Sequence, residues 1–222
     1  MPYILNIETA TKNCSVALAK AGKTILCKEM AEEGYSHAEK LHVFIAEILQ
    51  ELQLNFKDLA AIAVSQGPGS YTGLRIGVSA AKGLCFALGI PMIAVDTLKI
   101  LASKAAITDG VIVPMIDARR MEVYSAVFNT RFEKIREVKA EIITADSFAE
   151  INETIYFVGD SNEKVKPVLL NGNFVFLDQM VYPSAKEMSQ WSFDQFVKND
   201  FVDVAYFEPY YLKDFMITTA KK

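Results

Sequence analysis

The sequence predicts an α/β fold in which one βββαβα unit, a mixed sheet with helices packed on it, occurs twice. Three observations carry this. Strand-like and helix-like periods follow the order β-β-β-α-β-α-β-α over the first 106 residues. Near residue 110 the pattern restarts. Ile4-Leu5-Asn6-Ile7-Glu8 followed by Ser15-Val16-Ala17-Leu18 has the same form, strand, acidic tip, turn and strand, as Val113-Pro114-Met115-Ile116-Asp117 followed by Tyr124-Ser125-Ala126-Val127. Finally, 222 residues with 51% apolar and 23% charged side chains suit one large or two small globular units. No linker rich in Pro, Gly or Ser divides the chain, so two lobes on a shared hinge are expected: residues 1–106, and a less regular 107–222.

Residues 3–7 read as a strand ending in Glu8, and 15–20 and 24–29 as two more around the turn Ala21-Gly22-Lys23. Ser36-His37-Ala38-Glu39 is a capping box, and apolar residues at 38, 41, 44, 45, 48, 49 and 52 give the helical period behind it. Leu59-Ala60-Ala61-Ile62-Ala63-Val64 is a continuous apolar run, the mark of a strand buried on both faces. Residues 67–73 form a loop, 74–88 a helix stopped by Gly89 and Pro91, 92–95 a strand and 97–106 a helix. In the second lobe, 111–116, 122–128, 135–143, 155–158 and 174–177 are expected as strands. Short helices are expected at 147–151 and 161–170, and a longer one at 184–197.

Composition excludes several classes. Twenty-three basic against 27 acidic residues leave a net charge of −4, which argues against gripping nucleic acid through bulk positive charge. The opening MPYILNIETA carries Glu8 in its apolar run and lacks a basic start, so it does not read as a signal peptide. No apolar run approaches the ~20 residues of a membrane span. Cys14, Cys27 and Cys85 are odd in number and form no CxxC pair, as in a reducing cytoplasm.

The stretch from Gly67 to Gly89 is the most informative. Strand, glycine-rich turn and helix start make an anion site conceivable. Yet Gly67-Pro68-Gly69-Ser70-Tyr71-Thr72-Gly73 fits neither G-x-x-x-x-G-K-[ST] nor GxGxxG. The helix contains Gly73, Gly77 and Gly83, each costing about 1 kcal/mol against alanine. At about 100° per residue, Gly73, Gly77, Ala80, Leu84 and Ala87 share a stripe that lets another backbone approach, while Arg75, Ser79 and Lys82 lie opposite. The helix is therefore expected to be covered on two sides. The second cover is either its own chain or another protein.

Few residues could carry chemistry. His37 has Leu41 at i+4, and His42, at i+5, is turned away, so the two cannot share a metal on one helix face. Glu8 and Asp117 stand at the two matching strand tips. As a pair across a cleft they could bind Mg²⁺ or act as acid and base; as separate residues they are turn chemistry. Thr9, Ala10 and Thr11 offer no glycine for a close phosphate. Arg119 and Arg120 after Asp117 either clamp an anion or form a solvated turn.

Gly67-Pro68-Gly69-Ser70-Tyr71-Thr72-Gly73-Leu74-Arg75-Ile76-Gly77 resembles the GPGSFTGLRIG signature of the bacterial TsaB (YeaZ) family. Ile4-Leu5-Asn6-Ile7-Glu8-Thr9, Ser36-His37-Ala38-Glu39, Ala81-Lys82-Gly83-Leu84 and Asp117-Ala118-Arg119-Arg120-Met121-Glu122-Val123-Tyr124 match as well, with Pro209-Tyr210-Tyr211-Leu212 as a late echo. The likeness is strong over residues 1–128 and thin beyond.

It implies duplicated actin-like (ribonuclease H-like) lobes, as in sugar kinases, and a cytoplasmic role in threonylcarbamoyl transfer to the adenosine beside the tRNA anticodon. The family looks like catalytically degenerate paralogues of TsaD, the metal-carrying partner, with the ATPase TsaE joining them. By that resemblance ATP and Mg²⁺ belong to TsaE and TsaD, tRNA is met through the complex, and the chain alone is a homodimer. The family's contact helices map to 36–52 and 69–88. The interface residues expected are His37, Leu41, Ile45, Ile48, Tyr71, Thr72, Gly73, Arg75, Ile76, Gly77 and Ala80, with a vestigial nucleotide cleft at Glu8, Thr9, Asp117 and Arg119. Tyr71 replaces the usual Phe, Glu8 the usual Asp and Met121 a common Gly, and Leu41 removes the HxxxH pair of TsaD. The rival expectation is an actin-like phosphotransferase or an M22-type metallopeptidase acting alone.

Overall fold

A computed structural model of the chain describes residues 1–31 and 37–213. Strands β1 (Tyr3–Glu8), β2 (Asn13–Lys20) and β3 (Lys23–Ala31) form an antiparallel meander. Helix α1 (His37–Glu51) leads to β4 (Leu59–Ser65), parallel to β1. Helix α2 (Tyr71–Leu88) leads to β5 (Met92–Val95), parallel to β4, and α3 (Thr97–Ala102) follows. The second lobe repeats the scheme with β6 (Val111–Asp117), β7 (Glu122–Phe128), β8 (Lys134–Ile142), β9 (Ile155–Val158), α4 (Asn162–Val165), β10 (Phe174–Phe176) and α5 (Ala185–Val197). The sheet orders are β3-β2-β1-β4-β5 and β8-β7-β6-β9-β10, so the duplication read from two short segments holds strand for strand.

Alternation along each strand decides what covers it. On β4, Ile62 and Val64 face α1 and α2, whereas Ala61 and Ala63 face α5. Leu5 and Ile7 of β1 go with the first set and Ile4 with the second. Helix α3 turns Ile100 to the first sheet and Leu98, Leu101 and Ala102 to the second, where Ile112, Ala126 and Phe128 meet them. Helix α3 therefore lies between the two sheets, with α5 beside it on the first.

Helix ends follow local chemistry. The α2 helix begins at Tyr71, earlier than the pattern suggests, because Ser70 Oγ accepts the Gly73 N–H at 3.2 Å. It stops at Gly89, whose φ of +65° is the left-handed cap. Helix α3 ends at Ala102, short of the expected 106, with Ser103 Oγ donating back to Lys99 O at 2.7 Å. Two expected helices are corrected. Residues 147–151 form turns, with Phe148 at φ +66°, and 161–170 shrinks to α4 because Pro167 cannot continue a helix. The Ser36 capping box lies outside the described residues.

The boundary at 106/107 separates the two sheets but not the helices that cover them. Helix α5 packs on the first sheet: the Ala185 N–H donates to Ser15 Oγ at 2.8 Å and Gln195 Nε2 to Ala94 O at 3.0 Å. The strap after it, residues 198–213, crosses the same lobe. Val202 N donates to Met92 O, Lys82 Nζ to the Ala205 and Phe207 carbonyls, each at 3.0 Å, and Tyr210 N to Gln66 O at 2.7 Å. Residues 184–213 thus complete the lobe that begins the chain.

Candidate functional site

The β1–β2 turn is where the sequence motifs meet. Thr9 Oγ1 donates to Gly73 O at 2.7 Å, and the Ser70 N–H donates to Ala10 O at 2.7 Å. His37 Nε2 lies 2.8 Å from Thr11 O, which fixes it as the protonated nitrogen. A Cβ on Gly69 or Gly73 would lie under 3.0 Å from Ala10 O or Thr9 O, and one on Gly77 as close to Thr9 Oγ1. The glycine stripe is therefore filled by this turn of the same chain. Of the two covers left open for the stripe, the one seen here is the chain's own. A Gly77→Leu change would collide with Thr9 and disturb the fold itself.

The anion-cradle reading of the glycine loop meets the same obstacle. The Gly67 N–H donates to Thr97 Oγ1 at 2.9 Å, the Ser70 N–H to Ala10 and the Gly73 N–H to Ser70. Three donors that a phosphate would use are engaged internally.

The interface residues expected on α1 face inward. His37, Leu41, Ile45 and Ile48 are buried, the last three in the core beneath the helix. The outer face of α1 is instead Ala38, His42, Val43 and Ala46. On α2, Gly73 and Gly77 are buried, Tyr71, Ile76 and Ala80 half-buried, and Thr72 and Arg75 exposed. The exposed stripe continues through Ser79 and Gly83 to Phe86, which is 87% exposed, and nothing lies within 4 Å of a Cβ built on Gly83. Sequence periodicity placed this polar side opposite the glycines but did not find Phe86. A groove of about 630 Å³ runs between Lys82, Gly83 and Phe86 and the strap residues Asp203, Val204 and Ala205. At the other end of α2, Tyr71 stacks on Tyr211 with centroids 4.8 Å apart, and the Arg75 guanidinium lies 4.5 Å over Tyr71.

Glu8 and Asp117 do not form a pair. Glu8 is fully buried, its Oε1 accepting the Ala10 N–H at 2.5 Å, while Oε2 and the nearby Ser65 Oγ are buried without partners. Burial pushes its carboxyl up to about 7, against the opposing effects of Ala10 and Ser65. Asp117 is exposed, pairs with Lys164 and caps the Arg119 N–H at 2.7 Å. Its carboxylate neighbour is Asp160, which burial raises to about 6. Among the described residues no three His, Cys, Asp or Glu side chains are grouped to share a metal ion, and no helix is long and apolar enough to cross a membrane.

Comparison with known proteins agrees with this architecture. Residues 30–209 match the family model described as TsaD, tRNA N6-adenosine threonylcarbamoyltransferase. The tRNA threonylcarbamoyladenosine biosynthesis protein TsaB of Bacillus subtilis is 31% identical over 77% of this chain and 70% of its own. That of Escherichia coli is 30% identical over 95% of this chain and 94% of its own. The solved structure of YeaZ from Pseudomonas aeruginosa superposes with a TM-score of 0.83 at 27% identity, covering 96% of this chain and all of that one. The chain belongs to the TsaB (YeaZ) family, within the wider family that the TsaD model describes.

Proposed function

We propose that this chain acts in tRNA threonylcarbamoyladenosine biosynthesis as a non-catalytic subunit that docks TsaD through the outer face of α2. The names of its relatives support the pathway. One observation carries the docking face: the exposed stripe Thr72, Arg75, Ser79, Gly83 and Phe86, beside the outer face of α1, joins an open glycine to an exposed phenylalanine on a rigid helix. Such a surface can bury an aromatic anchor at little conformational cost. Reactive groups are elsewhere engaged: His37 on Thr11, Thr9 on Gly73, and the carboxyl of Glu8 inside the core. ATP and Mg²⁺ are then bound by the partners TsaD and TsaE.

The test is co-purification of Phe86→Glu and Gly83→Arg variants with TsaD. Both positions point to solvent, so thermal midpoints should stay within about 2 °C of the parent while binding falls at least tenfold. Wild-type recovery of TsaD with both variants would overturn the docking face. Calorimetry with ATP–Mg²⁺ and with Zn²⁺ tests the rival class, since tight binding of either by the isolated chain would support an independent phosphotransferase or peptidase.

A further inference from the structure

The β6–β7 turn holds two consecutive arginines in the left-handed region, Arg119 at φ +73° and Arg120 at φ +51°. A side chain rarely adopts this conformation once, and paired outliers persist only where surrounding bonds enforce them. Here they do. Asp117 Oδ1 accepts the Arg119 N–H, the Glu122 N–H donates to Arg119 O at 3.1 Å, and the Ala118 N–H donates to Glu122 O at 3.1 Å. Asp160 Oδ1 accepts the Asp117 N–H at 2.8 Å, and Lys164 Nζ bonds both the Asp117 carboxylate and the Glu122 carbonyl.

The charges around the turn are divided unequally. Lys164 pairs with Asp117 and Lys213 with Glu122, so both acids already hold a cation. Asp160 is engaged with a backbone N–H. Among the described residues neither guanidinium of Arg119 or Arg120 has an ion pair or a side-chain hydrogen bond, and both residues are exposed. A rigid turn presents two adjacent, unpaired guanidiniums to solvent on a chain whose net charge is −4.

The strap links the turn to the docking helix. Lys213, at the end of the strap, pairs with Glu122 beside the turn. Two residues before Lys213, the Tyr211 ring packs against Tyr71, over which the Arg75 guanidinium lies at the start of α2. That separation is at most ~7 Å of chain.

We propose that Arg119 and Arg120 form an RNA contact that grips phosphodiester oxygens of a tRNA bound by the complex. The inference rests on the docking reading above. Guanidinium forks match phosphate oxygens in pairs, and a fixed turn loses little freedom on binding. Phosphate contacts set position and carry no sequence information, so two suffice to orient an RNA whose target base a partner reads.

The experiment measures binding of an unmodified tRNA transcript, to the isolated chain and to its complex with TsaD, from 50 to 300 mM salt. Losing two phosphate contacts should flatten the slope of log affinity against log salt by about 1.5 and weaken binding roughly tenfold near 0.1 M. Arg119→Ala/Arg120→Ala should show this. Arg119→Gly/Arg120→Gly should show the same loss while fitting the left-handed turn better, which removes misfolding as an explanation. TsaD binding without RNA is measured in parallel and should not change. Wild-type slopes for both double variants would overturn the proposal whether or not TsaD binds, and lost TsaD binding in the wild type would overturn only the docking reading. Loss of TsaD binding in the variants at an unchanged RNA slope would make the turn a protein contact, and displacement by ATP but not by RNA a nucleotide site. Either would overturn the RNA assignment.

Discussion

Glu8 is a carboxylic acid enclosed by its own fold. Its Oε1 takes the Ala10 N–H, yet Oε2 and Ser65 Oγ stay buried and unpaired. Removal of the carboxyl from water favours the neutral acid, and it outweighs the opposing effects of the Ala10 N–H and Ser65. Glu187 of α5 adds repulsion, although Lys104 pairs with Glu187 at 3.5 Å, and the Cys14 thiol is itself raised by burial and, after that, by the neighbouring Glu8. The sign follows from proton counting. The carboxyl moves from 4.5 in the unfolded chain to about 7 in the folded one, so between those values the folded state holds more protons and stability falls as pH rises. Above the folded value the loss is complete, at roughly 3 kcal/mol for this burial. Asp160, raised to about 6, acts in the same direction. We expect urea midpoints to be higher at pH 5 than at pH 8, and Glu8→Gln, which keeps the shape and can donate to Ser65, to remove most of that difference. Parallel pH profiles for wild type and variant would refute the assignment.

The α2 helix shows at the scale of one element how three glycines of equal propensity can have different reasons. Gly73 faces the Thr9 carbonyl and Gly77 the Thr9 hydroxyl, whereas Gly83 faces open space. Gly73→Ala must push backbone against backbone and should destabilise the chain by more than about 3 kcal/mol. Gly83→Ala should stabilise it by up to about 1 kcal/mol, because only helix propensity acts there. Urea denaturation of the two variants separates these cases, and equal effects would contradict the packing described. The sequence showed that the helix carries glycines on one stripe, because period is a local property. It could not show which stripe meets Thr9, since residues 64 positions apart are joined by the fold alone. The same limit explains α1. Its apolar period identified Leu41, Ile45 and Ile48 well, but periodicity marks a buried face without saying whether a partner or the chain's own sheet buries it. Turn-forming residues misled where they worked against the period, as at Phe148 and Pro167 in the second lobe.

At the scale of the whole molecule, duplication of the sheet conceals an asymmetry of covering. Both sheets have the same strand order, but the helix after the fifth strand of the second lobe crosses to the first. Ala185 and Met188 of α5 lie fully buried against Ile4, Ala17, Ala61 and Ile93, with Trp191 and Phe193 beside them. The strap then ties β5 and α2 through Val202 and Lys82. Strand duplication was legible as two matching segments, but nothing in the period of 184–197 says which sheet the helix covers, because its apolar face fits either. The consequence is testable by dissection. A fragment of residues 1–106, cut at the apparent lobe boundary, would expose the α5-facing side of its sheet, a row of Ile, Ala and Val that water should not reach. It is expected to lack a cooperative urea transition and to bind a hydrophobic dye. Added residues 107–222 should restore a single transition, since the missing cover is supplied in trans. Cooperative unfolding of the 1–106 fragment alone would mean that α5 only decorates the first lobe.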